Sequence, residues 1–424
     1  MSRGHVASQT HRPMESICRV RLHRRTAQRK AFVGRGILDA PQRKETTVKR
    51  LLLLIMAALL LCLCACGQPE AVAPQVTENA PVQPPPKQVK EVRLVAVGDN
   101  LIHDTIISAC KTDHGYDFRP MYEYIRPLLQ NAQIKMINQE SPMGGESFGH
   151  KGYPNFNTPQ QMGKDLLDVG FNVVTHANNH AMDCGDKAVQ GTVDFWNEQI
   201  SQGADVLVSG IYNDQEDRDK VRILEIDGIK FAFVSYTYGT NGIPVKNSYR
   251  VSLIDKALIK TDVEKAQQQA DVVIAVMHWG QEYQTKENAE QRDLAQFLAD
   301  LHVDLVIGHH PHVIQPAGWV YAEDGHKTFV TYSLGNFVSN QKQKETMLGA
   351  MADVVFESVN GNISIKSVNM IPLVTHNSKN LSIARVYPLA EYTDQLAAQH
   401  RVTGLSVEYF DELATRVFGE FYVK

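Results

Sequence analysis

Cysteine is scarce beyond residue 66, the part of the chain that has the composition of a folded protein. The chain has 424 residues and 6 cysteines, and those beyond residue 66 are Cys110 and Cys184. Two cysteines cannot build a disulfide-dense scaffold, and the lack of a CxxC pair excludes a cysteine zinc site. Whether these two thiols pair with each other stays open at the level of sequence.

Positive charge is scarce once the first fifty residues are set aside. Residues 1–50 carry 13 Lys and Arg against 3 Asp and Glu, and because the whole chain has a net charge of −4, the remainder carries −14. A nucleic-acid-binding surface needs a clustered excess of Lys and Arg. Nucleic acid is therefore excluded as a partner.

Long apolar runs are absent except for one. From Lys49 the chain reads KRLLLLIMAALLLCLCACGQ, in which two positive charges precede an apolar stretch with small residues at its end, the pattern of a secretory signal. A permanent transmembrane helix usually needs about 20 apolar residues, more than this run offers. The ending LCACG resembles a bacterial lipobox, which predicts a signal over residues 48–66, acylation of Cys66, and attachment to the extracytoplasmic face of the cell membrane.

The rest of the domain organisation follows from changes in composition. Residues 1–47 contain many Arg and show no periodicity, and our hypothesis is that translation begins near residue 48. Residues 67–90 are rich in Pro, Gln and Ala and predict an extended tether. We expect one folded domain over residues 91–375 and a helical extension over residues 376–424.

Apolar, β-rich runs alternate with helical periodicity in the folded domain. Asp227 and Gly228 between two such runs predict a hairpin, and Thr158 followed by Pro159 predicts a helix start. This mixture indicates two sheets sandwiched by helices. The predicted strands are Val92–Val97, Ile134–Ile137, Asn172–Thr175, Asp205–Ser209, Val221–Ile226, Lys230–Tyr236, Val272–Met277, Leu305–Ile307, Thr328–Ser333, Met351–Phe356 and Ile363–Met370, and the predicted helices are Thr158–Val169, Asp186–Gln199, Asp255–Gln269 and Glu287–Leu301.

Polar side chains follow several of these strands at the point where each strand ends. The clearest case is VDLVIGHHPHVIQP, where an apolar run ends in Gly308, which we expect to let the backbone turn, and then in three histidines. Side chains placed in this way at the ends of successive strands predict one site. The candidates are Asp99, Glu140, Asn178, Asn179, His180, His278, His309, His310 and His312.

The donor types favour a divalent metal. Carboxylate and amide oxygens mixed with imidazole nitrogens suit Mn, Fe or Zn better than Ca, which takes oxygen ligands, or Cu(I), which takes sulfur. On an extended segment His310 and His312 point the same way. His309 faces either the site or the opposite side of the strand, and alternation favours the opposite side. Structural histidines and turn-forming asparagines are the alternative interpretation of the same residues.

Other polar residues nearby have supporting roles in this hypothesis. Asp183, three residues after His180, is placed to orient its imidazole. His103 either reaches the site or caps a helix. Glu282, in the run HWGQEY, is a candidate general acid or base.

Taken in order, these motifs resemble the CapA family of capsule-synthesis proteins, also called poly-γ-glutamate biosynthesis proteins. The matching runs are VGDN at 97–100, NQES at 138–141, ANNHAMDCG at 177–185, HWGQEY at 278–283, GHHPHV at 308–313 and YSLGNF at 332–337. The family is related to calcineurin-like metallophosphoesterases, so the resemblance implies a four-layer α/β/β/α sandwich with one or two divalent metal ions. The chain departs from those enzymes where they have Asp-x-His, because Asn100 and Leu101 follow Asp99. The metal-site residues that the resemblance implies are Asp99, Glu140, Asn179, His180, His278, His310 and His312.

These expectations combine into one leading hypothesis. The protein is a lipid-anchored, metal-dependent hydrolase or transferase in the synthesis or tethering of an anionic cell-surface polymer, either poly-γ-glutamate or a phosphate-bearing chain. His278, Glu282 and His312 are the expected catalytic residues, and polymer synthesis or export proteins are the expected partners. The alternatives are a non-catalytic module that binds the polymer or its export machinery, and a phosphodiesterase of nucleotide or teichoic-acid turnover.

Overall fold

The computed structural model describes residues 88–380, 382 and 384–424. The predicted leader and signal, with Cys66, and all but the last three residues of the predicted tether lie outside the described residues. The strands are β1 (Val89–Asn100), β2 (Lys111–Thr112), β3 (Gly115–Tyr116), β4 (Ile134–Asn138), β5 (Val173–Thr175), β6 (Leu207–Ser209), β7 (Arg222–Ile226), β8 (Ile229–Thr237), β9 (Val272–His278), β10 (Leu305–His309), β11 (Ala317–Tyr321), β12 (Lys327–Thr331), β13 (Asn336–Val338), β14 (Leu348–Val359), β15 (Asn362–Asn377) and β16 (Ala384–Pro388). The α-helices are α1 (Asp104–Ala109), α2 (Arg126–Leu129), α3 (Gln161–Val169), α4 (Asp186–Ser201), α5 (Gln215–Arg218), α6 (Lys256–Gln267), α7 (Ala289–Asp300), α8 (Asp394–Gln399) and α9 (Val407–Phe418).

The first of two large sheets is built around β1. Its strand order is β16-β15-β14-β1-β4-β5-β6, and β13 pairs with the end of β1. Strands β1, β4, β5 and β6 are parallel, whereas β14, β15 and β16 are antiparallel to their neighbours. The carboxyl ends of the four parallel strands therefore lie at the same edge of this sheet.

The second large sheet has the strand order β11-β12-β10-β9-β8-β7. Its central strands β12, β10, β9 and β8 are parallel, and the two edge strands β7 and β11 are antiparallel to their neighbours. Like the first sheet, it has one edge at which the carboxyl ends of several buried strands come together.

The two sheets pack face to face and carry helices on their outer faces. Because side chains alternate along a strand, Leu94 of β1 points inwards and shares a core with Phe231 of the second sheet. Its neighbour Val95 points outwards and packs in a second core with Leu166 of α3. Helices α6 and α7 cover the outer face of the second sheet in the same way. These layers confirm the predicted α/β/β/α sandwich.

The C-terminal segment differs from the helical extension expected over residues 376–424. Strand β16 pairs with β15 and extends the first sheet, and α9 buries Phe410 and Leu413 in the core between the sheets. A five-residue strand with a polar residue inside it gives a weak sequence signal. The segment is thus part of the sandwich, with both a strand and helices.

Two local predictions have different outcomes. The hairpin is confirmed, because Asp227 and Gly228 have φ of 53° and 78° between β7 and β8, the left-handed values that a type I′ turn needs. The helix start at Thr158 is wrong, because α3 begins at Gln161. The Thr158 hydroxyl instead donates to Ser141 Oγ at 2.8 Å, which fixes the segment that follows β4.

Two further properties of the described residues bear on function. Cys110 and Cys184 are both free thiols, so the open question of their pairing is answered. Within the described part of the chain, no helix has the length and apolar character needed to cross a membrane.

Candidate metal centre

The carboxyl ends of strands from both sheets meet at one edge of the sandwich. Asp99 lies at the end of β1, Glu140 follows β4, His278 ends β9, and His310 and His312 follow β10. Among the described residues, three groups of three side chains have their ligand atoms within 4.8 Å of one another. They are Glu140 with His278 and His310, Glu282 with His310 and His312, and Asp99 with Glu140 and His312.

The path of the backbone at the end of β10 differs from the sequence prediction. A Cβ on Gly308 would lie 2.1 Å from the carbonyl oxygen of Tyr332, so this glycine allows two backbones to approach closely inside the sheet. Its predicted role in a turn was wrong. The chain turns two residues later, where His310 and His312 have φ of 97° and 60°, values that non-glycine residues rarely adopt.

This turn also corrects the expected direction of His309. The prediction placed its side chain on the opposite face from the site, assuming that the strand continued in extended form. Instead β10 ends at His309, and Nδ1 of His309 lies 3.0 Å from Oδ1 of Asp99. All three histidines of the motif therefore belong to the site.

Asp99 is fully buried and surrounded by donors. Asn138 Nδ2 donates to Oδ1 at 2.8 Å, and the backbone N–H of His310 donates to Oδ2 at 3.2 Å. Nδ1 of His312 lies 3.2 Å from the same Oδ2. Burial alone would raise the pKa of Asp99, but its contacts with His309 and His312 outweigh burial and hold that pKa well below its usual range. Asp99 is therefore a carboxylate at neutral pH.

Glu140 has the opposite environment. Its side chain is completely buried, and neither carboxylate oxygen has a hydrogen-bond partner. The nearest imidazole nitrogens are Nε2 of His278 at 3.6 Å and Nε2 of His312 at 3.8 Å from Oε1. Burial raises the pKa of Glu140 well above its usual range. A buried acid without partners is costly to a protein, which calls for a group that binds it.

His278 and His310 are held as neutral imidazoles. Their ring centroids are 4.9 Å apart, and Nδ1 of each ring is buried without a hydrogen-bond partner. Burial lowers the pKa of His310 to about 3 and that of His278 well below its usual range. Only a neutral imidazole can offer a lone pair to a metal. Nε2 of His278 also lies 2.8 Å from Oδ1 of Asn179, the predicted amide ligand.

His312 carries a positive charge in the absence of metal. Burial lowers its pKa, but the carboxylates of Glu140 and Asp99 outweigh burial and raise that pKa to about 9. Nδ1 of His312 also lies 3.0 Å from Oδ1 of Asn336. A proton on this ring partly compensates two acidic neighbours, a role that a cation would take over.

His180 lies beside these groups. Its Nδ1 is 2.8 Å from Oδ2 of Asp183, the contact predicted from their spacing, and its backbone N–H donates to Asn178 Oδ1 at 3.0 Å. His180 and Asn179 line the same cleft as His312, but His180 belongs to none of the three groups found among the described residues. Its role as a metal ligand stays a prediction.

A cleft with a volume of about 790 Å³ opens next to the buried cluster. Its walls include His103, Glu282 and Tyr283 together with His180 and His312. Glu282 is half-buried, and it is the one member of the three groups that lies between the buried ligands and solvent. His103 precedes α1, but its side chain does not cap that helix.

The residues present fit a divalent cation. Two acidic side chains, neutral imidazoles with free nitrogens, and an unpartnered buried carboxylate converge on a small volume. This mixture of oxygen and nitrogen donors is the one that Mn, Fe and Zn prefer. A cation there would satisfy Glu140 and would displace the proton of His312.

Several residues of the site were missed as functional at the level of sequence. They are Asn138 and Asn336, which contact Asp99 and His312, and Tyr238, whose ring centroid lies 4.6 Å from that of His310. Tyr238 follows β8, which pairs with β9 in parallel. The carboxyl ends of neighbouring parallel strands lie at the same edge of a sheet. Tyr238 could therefore have been predicted if the order of the strands had been known.

Comparisons with known proteins identify the family of this chain. The model of the family "Bacterial capsule synthesis protein PGA_cap" matches residues 93–341. The PGA biosynthesis protein CapA of Bacillus subtilis (strain 168) is 31% identical over 239 residues, 54% of this chain and 60% of that protein. The capsule biosynthesis protein CapA of Bacillus anthracis is 25% identical over 323 residues, 73% of this chain and 72% of that protein. The chain thus spans only part of the length of these relatives.

Solved structures with a similar arrangement include two phosphoesterases. One is a phosphatase from Mycoplasma pneumoniae, with a TM-score of 0.42, 12% identity, and coverage of 73% of this chain and 100% of that chain. The other is the calcineurin-like phosphoesterase YfkN from Bacillus subtilis, with a TM-score of 0.39, 14% identity, and coverage of 78% and 97%. The family model covers more than half of this chain and every motif that contributes to the site. The chain therefore belongs to the family of bacterial capsule synthesis proteins, PGA_cap.

Proposed function

We propose that this protein is a lipid-anchored, metal-dependent hydrolase or transferase that acts on an anionic cell-surface polymer, with poly-γ-glutamate as the first candidate. The observation that carries the proposal is Glu140, a buried carboxylate without hydrogen bonds. Its Oε1 lies 3.8 Å from Nε2 of His312, which lines the open cleft. A structural role would leave this side chain with partners. A metal-binding role explains both its burial and the imidazoles around it.

The expected metal ligands are Asp99, Glu140, His278, His310 and His312. When bound, a divalent cation would polarise the carbonyl or phosphoryl group of the substrate and lower the pKa of a water molecule. Because the ligand side chains are buried at the ends of strands, the protein holds their positions before any ligand arrives. This preorganisation supports a catalytic site over a surface that only adsorbs metal.

Residues at the cleft have distinct roles in the proposed reaction. Glu282 is near His310 and His312 and is open to the cleft, so it can exchange a proton with the substrate or with solvent. Asp183 holds the ring of His180 by a contact of 2.8 Å, which fixes a second imidazole on the cleft wall.

The substrate class and the location are supported by separate observations. The relatives are named for capsule and PGA biosynthesis. Because residues beyond 50 carry a net charge of −14, a polyanion needs local positive charge at the site, which a bound cation would supply. The lipobox-like run before Cys66 supports attachment to the extracytoplasmic face of the membrane. A Cys66→Ala variant should then fail to incorporate a labelled fatty acid and should leave the membrane fraction; unchanged labelling would exclude Cys66 as the anchor.

The central test combines metal analysis with an assay. The purified protein should contain one or two equivalents of Mn, Fe or Zn, and should cleave γ-linked oligoglutamate in a metal-dependent way. Phosphodiester substrates in parallel reactions distinguish the phosphodiesterase alternative. A Glu140→Gln variant should lose metal and activity together. Metal-free protein that still binds the polymer, and no cleavage by reconstituted protein, would favour the non-catalytic alternative.

A further inference from the structure

The walls of the cleft have an unusual composition. Among the described residues that line it, side-chain amides are frequent and lysine or arginine occurs once, at Lys342. The carboxylates on the walls are Asp183, which contacts His180, and Glu282. The amides are Asn155, Asn179, Asn241, Asn340, Gln341 and Gln343.

The side chain of Lys342 is exposed. Its charge has no partner among the described residues, whereas the two residues before it are hydrogen-bonded. No hydrogen bond or ion pair joins its ammonium group to another described residue. Gln341, in contrast, accepts a hydrogen bond from Asn336 at 2.9 Å and donates to the hydroxyl of Tyr283 at 3.3 Å. Asn340 contacts Thr105 at 2.5 Å. After Lys342, the Gln343 carbonyl accepts from the Thr346 hydroxyl at 2.8 Å. The loop is therefore held on both sides of a lysine whose own charge is left free.

This loop is joined to the metal centre by a short chain of contacts. Asn336 donates to Gln341 and lies 3.0 Å from His312 through its Oδ1. The side chain of Gln341, the residue before Lys342, is consequently held by the same residue that contacts a metal-site imidazole. A substrate group that pairs with Lys342 would be held at a defined distance from the reacting bond.

The chemistry of this wall favours a carboxylate. Phosphate recognition in proteins commonly uses Arg forks or several cations together, whereas the described wall has one Lys. A single ammonium group matches one singly charged carboxylate, and side-chain amides can both donate to and accept from the amide bonds of a polymer. Resting on the proposed function, we propose that Lys342 is a substrate-binding residue that pairs with a carboxylate carried by the polymer and so sets which bond reaches the metal centre.

Binding measurements test this role apart from activity. The probes are a γ-linked hexaglutamate, the same chain with each free carboxylate converted to a carboxamide, and a glycerol phosphate oligomer. The Lys342→Met variant should bind the hexaglutamate about fivefold more weakly than wild type, the loss expected for one exposed charged contact. It should bind the carboxamide chain as well as wild type does. Lys342→Arg should retain most of the affinity, because it keeps the charge.

Lys344→Met is the matched control. Lys344 is on the same loop, is exposed, lies over the ring of Tyr409 at 5.7 Å and is not part of the cleft wall. If both Met variants weaken binding equally, the effect is one of surface charge and the assignment of Lys342 is wrong. Unchanged hexaglutamate binding by Lys342→Met would overturn it as well, while leaving the proposed function intact.

Two other outcomes are distinguishable from these. If wild type binds neither γ-linked chain, the proposed polymer and the role of Lys342 both fail. If Lys342→Met weakens only the binding of the glycerol phosphate oligomer, Lys342 recognises phosphate and the carboxylate assignment is overturned. Added salt should reduce the difference between wild type and Lys342→Met, since an exposed charge pair is screened.

Discussion

Replacing Glu140 by Gln should stabilise the metal-free protein and remove most of its stabilisation by metal. Without metal, the carboxylate is buried without hydrogen bonds, and the nearest positive charge is His312, with Nε2 3.8 Å from Oε1. Gln has nearly the same shape and no charge. His312 keeps Asp99 as a partner at 3.2 Å in the variant, so the substitution does not leave a buried cation alone.

The size and the pH dependence of the effect follow from this environment. A buried charge without partners costs about 1–3 kcal/mol more than an uncharged amide in the same place. The free energy of unfolding of the metal-free variant should therefore rise, by up to that amount where the Glu140 carboxyl group of wild type is ionised. The corresponding rise in Tm is about 1–4 °C. Because burial raises the pKa of Glu140, native wild type retains a proton that the unfolded chain releases above about pH 4.3. The wild-type protein is therefore penalised as pH rises, and the gain from the variant should grow with pH above that value.

Metal should offset the higher stability of the variant, and should reverse the order where that advantage is below about 2.3 kcal/mol. At a metal concentration 100 times Kd, wild type gains about 2.7 kcal/mol, and a variant whose Kd is a hundredfold higher gains only about 0.4 kcal/mol. Thermal unfolding with and without Mn²⁺ or Zn²⁺, at pH 5 and pH 7.5, measures both effects. Asp304→Asn is the control, because Asp304 is a partly buried carboxylate that has a partner, accepting from the Val273 N–H at 2.8 Å. The reasoning would be refuted if metal raised the Tm of Glu140→Gln as much as that of wild type. It would also be refuted if the metal-free variant had a lower Tm than metal-free wild type.

Three further predictions concern residues that hold the metal centre in place or balance its charge. Gly308→Ala should lower the free energy of unfolding by about 2–3 kcal/mol in urea titrations, since its Cβ would lie 2.1 Å from a backbone carbonyl oxygen, whereas Gly318→Ala, with open space around it, should change little. His309→Gln should weaken metal binding about 10–100-fold in a chelator competition by freeing Asp99; an unchanged affinity would make His309 a packing residue only. The pKa of His312 is raised to about 9, so its stabilisation of the metal-free protein is complete below about pH 6.5 and is lost as pH rises through 9. His312→Gln should flatten that decline, and a decline as steep as in wild type would contradict the assignment.

Strands with long apolar runs gave the clearest signal in the sequence, whereas β2, β3, β11, β13 and β16 were not predicted. The runs around Leu305–Ile307 and Val272–Met277 are buried parallel strands at the centre of the second sheet and contain little else than apolar residues. Strand β13, Asn336–Val338, has three residues and begins with a polar one. Its pairing with β1 is a long-range contact that no local pattern encodes.

The chemistry of the site could be predicted further than its geometry. Donor type and position at strand ends indicated a metal centre, and five of the predicted ligands come together in the three groups. The direction of His309 was wrong because alternation applies only while a strand continues. The turn after β10 uses His310 in the left-handed region, a conformation that sequence patterns associate with Gly or Asn.

The same turn explains why the site needs a ligand. Left-handed backbone at His310 and His312 costs about 1–3 kcal/mol at each residue, and an unpartnered Glu140 adds to that cost. The surrounding backbone holds the arrangement, because the Leu334 N–H donates to the Gly308 carbonyl at 3.1 Å and the Tyr283 N–H donates to the Pro311 carbonyl at 2.8 Å. These backbone hydrogen bonds fix the turn but do not relieve the charge of the ligand side chains. A bound cation would compensate the buried charge that this strained turn holds in one place. We therefore expect metal to raise the free energy of unfolding of the protein as well as its activity.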